Sequence, residues 1–238
     1  MHTLKAVLFD AYGTLFDVYS VAQTAERLFP GHGASLSQLW RDKQIEYTRL
    51  LTMSTLAGAP EGASKDALYR PFWDLTRAGL RYAAARLQLA LNASAEEQLM
   101  GQYLHLAPFP ENRAVLQELQ RRHIPTGILS NGDPAMLAAA VKSAGVDGLL
   151  QHQISVHTVR RFKTDPAAYA LGPQTLGLAA ANILFVSSNA WDALGATWFG
   201  YTTLWVNRAG APPEQLEPPP THTGSSLHDV LALFPLAP

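Results

Sequence analysis

The chain contains no cysteine, no marked excess of either charge and no long apolar run. The absence of cysteine excludes disulfides, thiol nucleophiles and thiolate metal sites. The 18 basic and 19 acidic residues give a net charge of −1, which provides no general attraction to nucleic acid or to an anionic membrane. Asp10 interrupts the first apolar run too early for a signal peptide, and no stretch is long enough to span a membrane. We therefore expect a soluble, cytoplasmic protein with no nucleic-acid or membrane partner.

The chain is long enough to bury a large core. Its 238 residues, 47% of them hydrophobic, suffice for one large domain or for a core with a modest second domain. There is no internal repeat, and low complexity is confined to a proline-rich stretch near the C-terminus, 212–220, which predicts a surface loop.

The segment KAVLFDAYGTLFDV, residues 5–18, places a carboxylate directly after a short apolar run. Residues 6–9 suit a strand that is buried on both faces, and Asp10 follows at the strand end where ligands bind in open α/β sheets. Gly13 permits a sharp turn, and the hydroxyl of Thr14 can hydrogen-bond the loop or the carboxylate. An isolated aspartate in such a place most often only caps a turn, so the remaining motifs have to decide its role.

A helical stretch follows the first strand. Apolar residues recur at helical spacing over residues 21–28, 39–50 and 71–91. Ser94 and Glu97 form a capping-box pattern that predicts the start of one more helix. Residues 51–70 are rich in Gly, Ala and Ser and predict a loop or a partly helical excursion. The pattern indicates an α-helical insertion over roughly residues 17–105.

Polar side chains also follow the later predicted strands. The strand at 124–129 ends in Ser-Asn-Gly, and the strand at 183–186 ends in Ser-Ser-Asn-Ala-Trp-Asp. Residues 154–159 alternate weakly, as in a strand, residues 202–206 predict a fifth strand, and residues 227–234 predict a closing helix. Because strands alternate with helices, we expect a doubly wound parallel sheet, an α/β fold, whose loops bring these side chains to one edge.

Five segments carry a resemblance to a known family. They are D-A-Y-G-T from Asp10, W-R-D-K-Q-I-E-Y from Trp40, S-N-G from Ser130, K-T-D-P from Lys163 and S-S-N-A-W-D from Ser187. Together they resemble the haloacid dehalogenase superfamily, and within it the L-2-haloacid dehalogenases. The resemblance covers nearly the whole chain except residues 51–70 and the tail. It implies a Rossmann-like core of residues 1–16 and 106–238 with a helical cap domain inserted at residues 17–105.

The resemblance also implies an activity and a set of site residues. The activity is hydrolysis of short (S)-2-haloacids to (R)-2-hydroxyacids and halide, through a covalent ester on Asp10 and without metal or cofactor. The implied catalytic residues are Asp10, Thr14, Arg41, Ser130, Lys163, Ser187, Asn189 and Asp192. The implied substrate- or halide-binding residues are Tyr12, Arg41, Ile45, Phe72, Ser130, Asn131 and Trp191.

The roles follow from the same resemblance. Arg41, Asn131 and Trp191 would receive the halide, and Ser130 with neighbouring backbone N–H groups would bind the substrate carboxylate. Asp192, with Asn189 and Lys163, would activate the water that hydrolyses the ester. Ser187 and Thr14 would hold the Asp10 carboxylate in place, while Tyr12, Ile45, Phe72 and Trp191 would form an apolar wall.

Two other functions remain open from the sequence. A phosphatase or phosphotransferase of the same superfamily would share the aspartate nucleophile, but Tyr12 and Ser188 replace acids which that chemistry uses. A non-enzymatic binding protein would be expected to have lost motif residues at scattered places. Asp42 departs from the neutral residue expected there and could pair with Arg41 or Lys43. The preferred halogen, the chain length of the substrate and the formation of a homodimer are not decided by the sequence.

Overall fold

A parallel sheet forms the centre of the molecule in the computed structural model, which describes residues 3–54 and 68–235. Its strands are β1 (Ala6–Phe9), β4 (Thr126–Ser130), β5 (His152–Ser155), β6 (Ile183–Ser187), β7 (Thr202–Val206) and β8 (His222–Gly224). They lie in the order β5-β4-β1-β6-β7-β8, and every neighbouring pair is parallel. Two short strands, β2 (Phe16–Asp17) and β3 (Ala107–Pro108), form a separate antiparallel pair.

Strand β1 lies between β4 and β6 and is completely buried. All four of its residues are 0% exposed, as expected for a strand covered on both faces. The strands of the sheet alternate with the helices α5 (Asn112–Arg121), α6 (Pro134–Ser143), α7 (Pro166–Leu176), α8 (Ala190–Phe199) and α9 (Asp229–Ala232). The predicted doubly wound parallel sheet is therefore confirmed.

The predicted helical insertion is also present. Its helices in the described residues are α1 (Ala22–Leu28), α2 (Gly33–Met53), α3 (Phe72–Arg86) and α4 (Ala93–Tyr103). Helices α2 and α3 touch closely at Gly79, where an added Cβ would lie 3.3 Å from the backbone of Trp40 and of Gln44. The indole of Trp40 also donates to the carbonyl of Thr76 across this contact over 2.7 Å. The close packing fixes α2, the helix that carries Arg41.

The chain leaves the sheet and returns to it at one place. Phe16 pairs with Pro108 and Asp17 with Ala107 in the β2–β3 ribbon. The ribbon thus lies at both ends of the helical insertion. The domain boundaries themselves, 16/17 and 105/106, stay a prediction.

Several element boundaries differ from those predicted. Helix α4 is capped by Asn92, whose side chain accepts from the Ala95 N–H over 2.9 Å, so the capping box at Ser94 and Glu97 is wrong. Asn92 offers the same kind of acceptor two residues earlier. The helix predicted to run to residue 91 ends at Arg86.

The later predicted elements differ mainly in length. Strand β4 begins at Thr126 rather than at Ile124, and β5 ends at Ser155, where a 3₁₀ turn over Val156–Thr158 begins. The closing helix covers only Asp229–Ala232. Strands β2, β3 and β8 were not predicted, because two or three residues carry no readable periodicity. Of the loop predicted at 51–70, residues 55–67 lie outside the described residues.

The carboxyl ends of the central strands define one edge of the sheet. Strands β1, β4 and β6 are neighbours and end at Phe9, Ser130 and Ser187. The loops that follow them therefore meet at this edge, and α2 supplies a side chain to it from the insertion. Among the described helices, none is both long and apolar enough to cross a membrane.

Candidate active site

The carboxylate of Asp10 is held from three sides at the end of β1. Oδ1 accepts from the ammonium of Lys163 over 3.1 Å, and Oδ2 accepts from the side-chain amide of Asn189 over 2.8 Å. Oδ2 also accepts from the hydroxyl of Thr14 over 3.1 Å. The residue is 6% exposed, so these donors replace most of the water that would otherwise solvate the carboxylate. The result is an oriented, largely desolvated carboxylate in a nearly closed site.

Lys163 connects Asp10 to a second, fully buried carboxylate. Its ammonium donates to Asp192 Oδ2 over 2.9 Å, and the hydroxyl of Tyr169 donates to Asp192 Oδ1 over 2.8 Å. Burial raises the pKa of Asp192 to about 6; the charge of Lys163 opposes the rise and that of Asp10 adds to it. Burial raises the pKa of Tyr169 well above its usual value, so this hydroxyl stays a donor. Asp192 is thus suited to take up a proton near neutral pH.

Arg41 reaches from α2 to the edge of the sheet. Its Nη2 donates to the carbonyl of Tyr12 over 3.1 Å and to Asn189 Oδ1 over 3.3 Å. Its Nη1 donates to Gln44 Oε1 over 2.7 Å. With 9% of the residue exposed, Arg41 is buried, unlike most helix arginines, which extend into solvent.

Gln44 anchors Arg41 and was missed by the sequence analysis. Its Oε1 also accepts from the hydroxyl of Tyr103 over 2.9 Å, and its Nε2 donates to Thr76 Oγ1 over 2.6 Å. Gln44 is fully buried and lies one helical turn after Arg41, at the spacing at which helix side chains meet. That spacing was the only available signal, because Thr76 and Tyr103 come from other helices.

Three predicted side chains fix the backbone around Asp10. Ser130 Oγ accepts from the N–H of Gly132 over 3.1 Å, and Asn131 Oδ1 accepts from the N–H of Lys163 over 2.9 Å. Ser187 Oγ accepts from the N–H of Asn189 over 3.1 Å. Ser187 was predicted to contact the Asp10 carboxylate directly, but its hydroxyl closes the turn after β6 instead. Ser187 therefore acts on Asp10 only through Asn189, whose side chain donates to the carboxylate.

The predicted apolar wall is divided into an inner and an outer part. The rings of Tyr12 and Phe72 lie 5.7 Å apart and are both buried. The hydroxyl of Tyr12 has no hydrogen-bond partner among the described residues, and burial raises its pKa well above the usual value. Ile45 and Trp191 instead line an outer cavity of about 540 Å³ together with Arg41.

Asp42 does not pair with either of the cations expected. It is exposed and accepts from Gln38 over 2.9 Å, while Lys43 pairs with Glu46 over 2.7 Å. The expected pairing is wrong because Gln38, one helical turn away, donates to Asp42, while Arg41 and Lys43 have other partners. Asp42 remains on the wall of the outer cavity, close to Arg41 and Trp191.

Asp133 ties the insertion to the sheet and was also missed. Its two carboxylate oxygens accept from the N–H groups of Phe72 over 3.1 Å and Trp73 over 2.8 Å, at the start of α3. His157 Nδ1 lies 3.4 Å from the same carboxylate. The only hint of this role in the sequence was the position of Asp133 directly after Ser130-Asn131-Gly132. The N–H groups that it binds lie 60 and 61 residues away in sequence, so no local pattern could reveal the contact.

The oxygens of Asp10 and of the Tyr12 carbonyl, which a metal ion would need as ligands, already accept hydrogen bonds from side chains. The Asn189 amide spans Asp10 Oδ2 and the Tyr12 carbonyl at 2.8 and 3.0 Å, and Arg41 donates to the same carbonyl. Over residues 3–54 and 68–235 no group of three or more His, Cys, Asp or Glu residues could hold a metal ion.

Comparison with known proteins agrees with this geometry. A family model described as haloacid dehalogenase-like hydrolase matches residues 4–200. The (S)-2-haloacid dehalogenase of Pseudomonas sp. (strain YL) is 42% identical over 237 residues, which are 100% of this chain and 97% of that protein. The chain belongs to the (S)-2-haloacid dehalogenases, within the haloacid dehalogenase-like hydrolases. The family resemblance carried by the five sequence segments is confirmed.

Solved dehalogenases share the whole fold. One L-2-haloacid dehalogenase of known crystal structure is 56% identical in sequence to this chain. The superposition covers 97% of this chain and 98% of that protein, with a TM-score of 0.90. The L-2-haloacid dehalogenase from Xanthobacter autotrophicus with chloropropionic acid covalently bound is 35% identical, with the same coverage and a TM-score of 0.85. Membership of the dehalogenase family makes the chain a hydrolase that acts on carbon–halide bonds.

Proposed function

We propose that this dehalogenase converts short (S)-2-haloacids to (R)-2-hydroxyacids and halide through an ester on Asp10. The observation that carries the proposal is the Asp10 carboxylate, nearly desolvated, ionically paired with Lys163 and facing the guanidinium of Arg41 across Asn189. A carboxylate is a weak nucleophile in water, but a closed site of this kind lets it attack a carbon that bears a good leaving group. The acid substrate is a small anion, and the helical insertion acts as the cap that closes over it.

In the first step a carboxylate oxygen of Asp10 attacks C2 of the substrate from the side opposite the halogen. The new C–O bond forms as the carbon–halogen bond breaks, and the halide leaves with the bonding electron pair. Arg41, with Asn131 and Trp191, receives the developing negative charge. Ser130 and the adjacent backbone N–H groups hold the substrate carboxylate, and the rings of Tyr12 and Phe72 keep water from C2. The attack inverts C2.

In the second step water attacks the carbonyl carbon of the Asp10 ester. Asp192 accepts a proton from this water and returns it to the alkoxide oxygen as the bond between the carbonyl carbon and that oxygen breaks. The hydroxyacid leaves with the oxygen that was formerly on Asp10, and the new carboxyl group of Asp10 loses its remaining proton to solvent. The donor on the oxygen that stays a carbonyl, which is Lys163 for Oδ1 or Asn189 for Oδ2, stabilises the negative charge as it forms. Because no bond to C2 changes here, an (S)-haloacid gives an (R)-hydroxyacid.

We further propose that the reaction needs no metal. A phosphatase of the superfamily would have to balance a phosphate dianion, and this chain has Tyr12 and Ser188 where that chemistry uses acids. The haloacid carries a single charge, for which arginine and amide donors suffice. The phosphatase alternative is therefore not favoured.

Halide release measured across substrates tests the proposal. We expect release from (S)-2-chloropropionate with formation of (R)-lactate, and little release from the (R) enantiomer. Chloro-, bromo- and fluoroacetate in the same assay would establish the halogen preference. Asp10→Asn should release no halide, whereas Asp147→Asn, an exposed aspartate away from the site, should retain full activity.

A single turnover in oxygen-18 water separates the covalent mechanism from direct attack by water. In the covalent mechanism the label enters the carboxylate of Asp10 before it enters the product. Label that appears at once in the hydroxyacid would contradict the ester at Asp10, even if the substrate class were correct.

A further inference from the structure

Arg208 lies two residues beyond the end of β7, and no motif in the sequence indicated a role for it. Its guanidinium Nη1 donates to Ser188 Oγ over 2.5 Å and to the Gly13 carbonyl over 3.5 Å. Its Nη2 donates to the Thr14 carbonyl over 3.1 Å. Arg208 thus bridges the turn after β1 and the loop after β6.

The same guanidinium is fixed by the chain that returns from the insertion. Both Nη2 and Nε donate to Glu111 Oε1, over 2.8 and 3.2 Å. The guanidinium carbon lies 3.8 Å from the centroid of the Phe109 ring. Burial opposes the ionisation of Glu111, but the hydrogen bonds and charge of Arg208, together with hydrogen bonds from the backbone of Glu111 and Leu227, outweigh it and lower the pKa of this carboxyl. The pair is therefore ionised and partly shielded from solvent, with 21% of the Arg208 side chain and 11% of the Glu111 side chain exposed.

The two loops that Arg208 joins hold the proposed nucleophile. Thr14, whose carbonyl accepts from Arg208, donates its hydroxyl to Asp10 and accepts from the N–H of Ser188. Ser188, which binds Arg208, precedes Asn189, the residue that donates to Asp10 Oδ2. Two of the three side chains that orient the Asp10 carboxylate therefore lie on loops held by a single guanidinium.

We propose that Arg208 and Glu111 are positioning residues for the reaction, which set the direction of the Asp10 carboxylate through Thr14 and Asn189. This inference rests on the proposed function. Arg208 acts through other residues, so its loss should impair the attack on C2 more than substrate binding. An arginine suits this place because its planar fork can serve several acceptors at once, which a lysine ammonium cannot do with the same geometry.

Kinetics of Arg208→Met and Glu111→Gln test the proposal. Misplacement of a reacting group by about 1 Å can cost about 100-fold in rate, so we expect kcat for (S)-2-chloropropionate to fall between about 10- and 100-fold in Arg208→Met. KM should change by less than about twofold, since the lost contacts touch no substrate. Glu111→Gln should give a smaller loss of kcat in the same direction, and Arg208→Lys should restore the thermal midpoint more than it restores kcat.

The chain offers a matched control in another arginine–glutamate pair. Arg81 donates to both oxygens of Glu96 over 2.7 and 2.8 Å, between α3 and α4. Arg81→Met removes an ion pair of the same type from the insertion, so it should leave kcat and KM unchanged. A comparable loss of kcat in both variants would indicate general destabilisation and overturn the positioning role.

Hydrogen exchange gives a readout that does not depend on activity. Residues 11–16 and 187–190 should lose protection in Arg208→Met and Glu111→Gln, with the central strand unchanged. Unaltered exchange in both loops, or an increase in KM without a fall in kcat, would overturn the inference while the wild-type enzyme still releases halide. Absence of halide release from the wild type would instead contradict the proposed function, and the exchange result would still decide whether Arg208 couples the loops. If Arg208→Met does not fold, the milder Glu111→Gln carries both measurements.

Discussion

The ammonium of Lys163 donates to Asp192 across 2.9 Å, with both side chains almost completely buried. The same ammonium contacts Asp10, so two carboxylates share one cation. A change in the charge of either acid is therefore felt by the other through Lys163. This coupling links the proposed attack on carbon to the later attack by water.

Hydrolysis of the ester should depend on pH near neutrality. Because burial raises the pKa of Asp192 to about 6, the carboxyl is protonated below that pH and is a base above it. The charge of Asp10 adds to this rise and is lost when the ester forms, so we expect the rate of ester hydrolysis to rise with pH through a midpoint below about 6 and to be lost in more acidic solution. Single-turnover experiments that follow the ester and the hydroxyacid separately will measure this part of the pH–rate profile.

Asp192→Asn provides the control for that assignment. An amide cannot accept the proton, so one equivalent of halide should be released and the ester should accumulate on Asp10, detectable by mass spectrometry of the intact protein. Normal turnover by this variant would show that a group other than Asp192 causes the pH dependence of ester hydrolysis.

Removal of the Arg41 side chain should slow the first step. By analogy with the loss of one donor to a developing anion, Arg41→Ala should lower kcat/KM by about 100-fold, or about 3 kcal/mol. Lys43→Ala, which removes a cation from the same helix that pairs with Glu46, should have little effect. Halide-release kinetics will compare Arg41→Ala with Lys43→Ala. Equal activity of the two variants would contradict the proposed role of Arg41 in the first step.

Chelation should leave dehalogenation unchanged. The oxygens of Asp10 and Tyr12 accept hydrogen bonds from Asn189, so a divalent cation would have to displace the amide. We expect dialysis against EDTA to preserve halide release, and added magnesium to cause no hydrolysis of p-nitrophenyl phosphate. Loss of activity with EDTA, restored by magnesium together with phosphatase turnover, would favour the phosphatase alternative.

Gly132→Ala should disturb the site through Tyr12. A Cβ at Gly132 would lie 2.7 Å from Tyr12 Cε2, too close for the buried ring to remain in place. Overpacking of this kind costs about 1–3 kcal/mol, and displacement of Tyr12 moves the carbonyl that Arg41 and Asn189 bind. We expect a lower thermal midpoint and a fall in kcat/KM.

Gly101→Ala is the matched comparison. This glycine lies in α4, and an added Cβ meets nothing within 4 Å. Alanine is favoured over glycine in a helix by about 0.5–1 kcal/mol, so the variant should be slightly more stable and equally active. Similar losses in both glycine variants would argue against a specific role of the Tyr12 contact.

The sequence predicted the elements whose residues are close together in the chain. The apolar run of β1 followed by Asp10, the Lys163 segment before the proline-started α7 and the strand of Thr202–Val206 are all local patterns. The predicted cap of α4 failed because Asn92 and Ser94 are both good caps and only the path of the preceding chain chooses between them. The β2–β3 pair was not predicted because each strand is stabilised by a distant partner: Phe16 and Pro108 are 92 residues apart, and Asp17 and Ala107 are 90 residues apart.

The sequence by itself determined the fold class, the family and the chemical types at the site, because each motif is a contiguous string at the end of a strand. The contacts around Asp10 depend on tertiary packing: the Ser187 hydroxyl accepts from the backbone N–H of Asn189 rather than contacting the carboxylate, and Gln44 binds Arg41. Tertiary packing also brought Arg208 to the turn at Gly13 and Thr14. The physical reason is that a hydrogen bond depends on positions and directions to within a few tenths of an ångström, which are set by the packing of distant helices and strands.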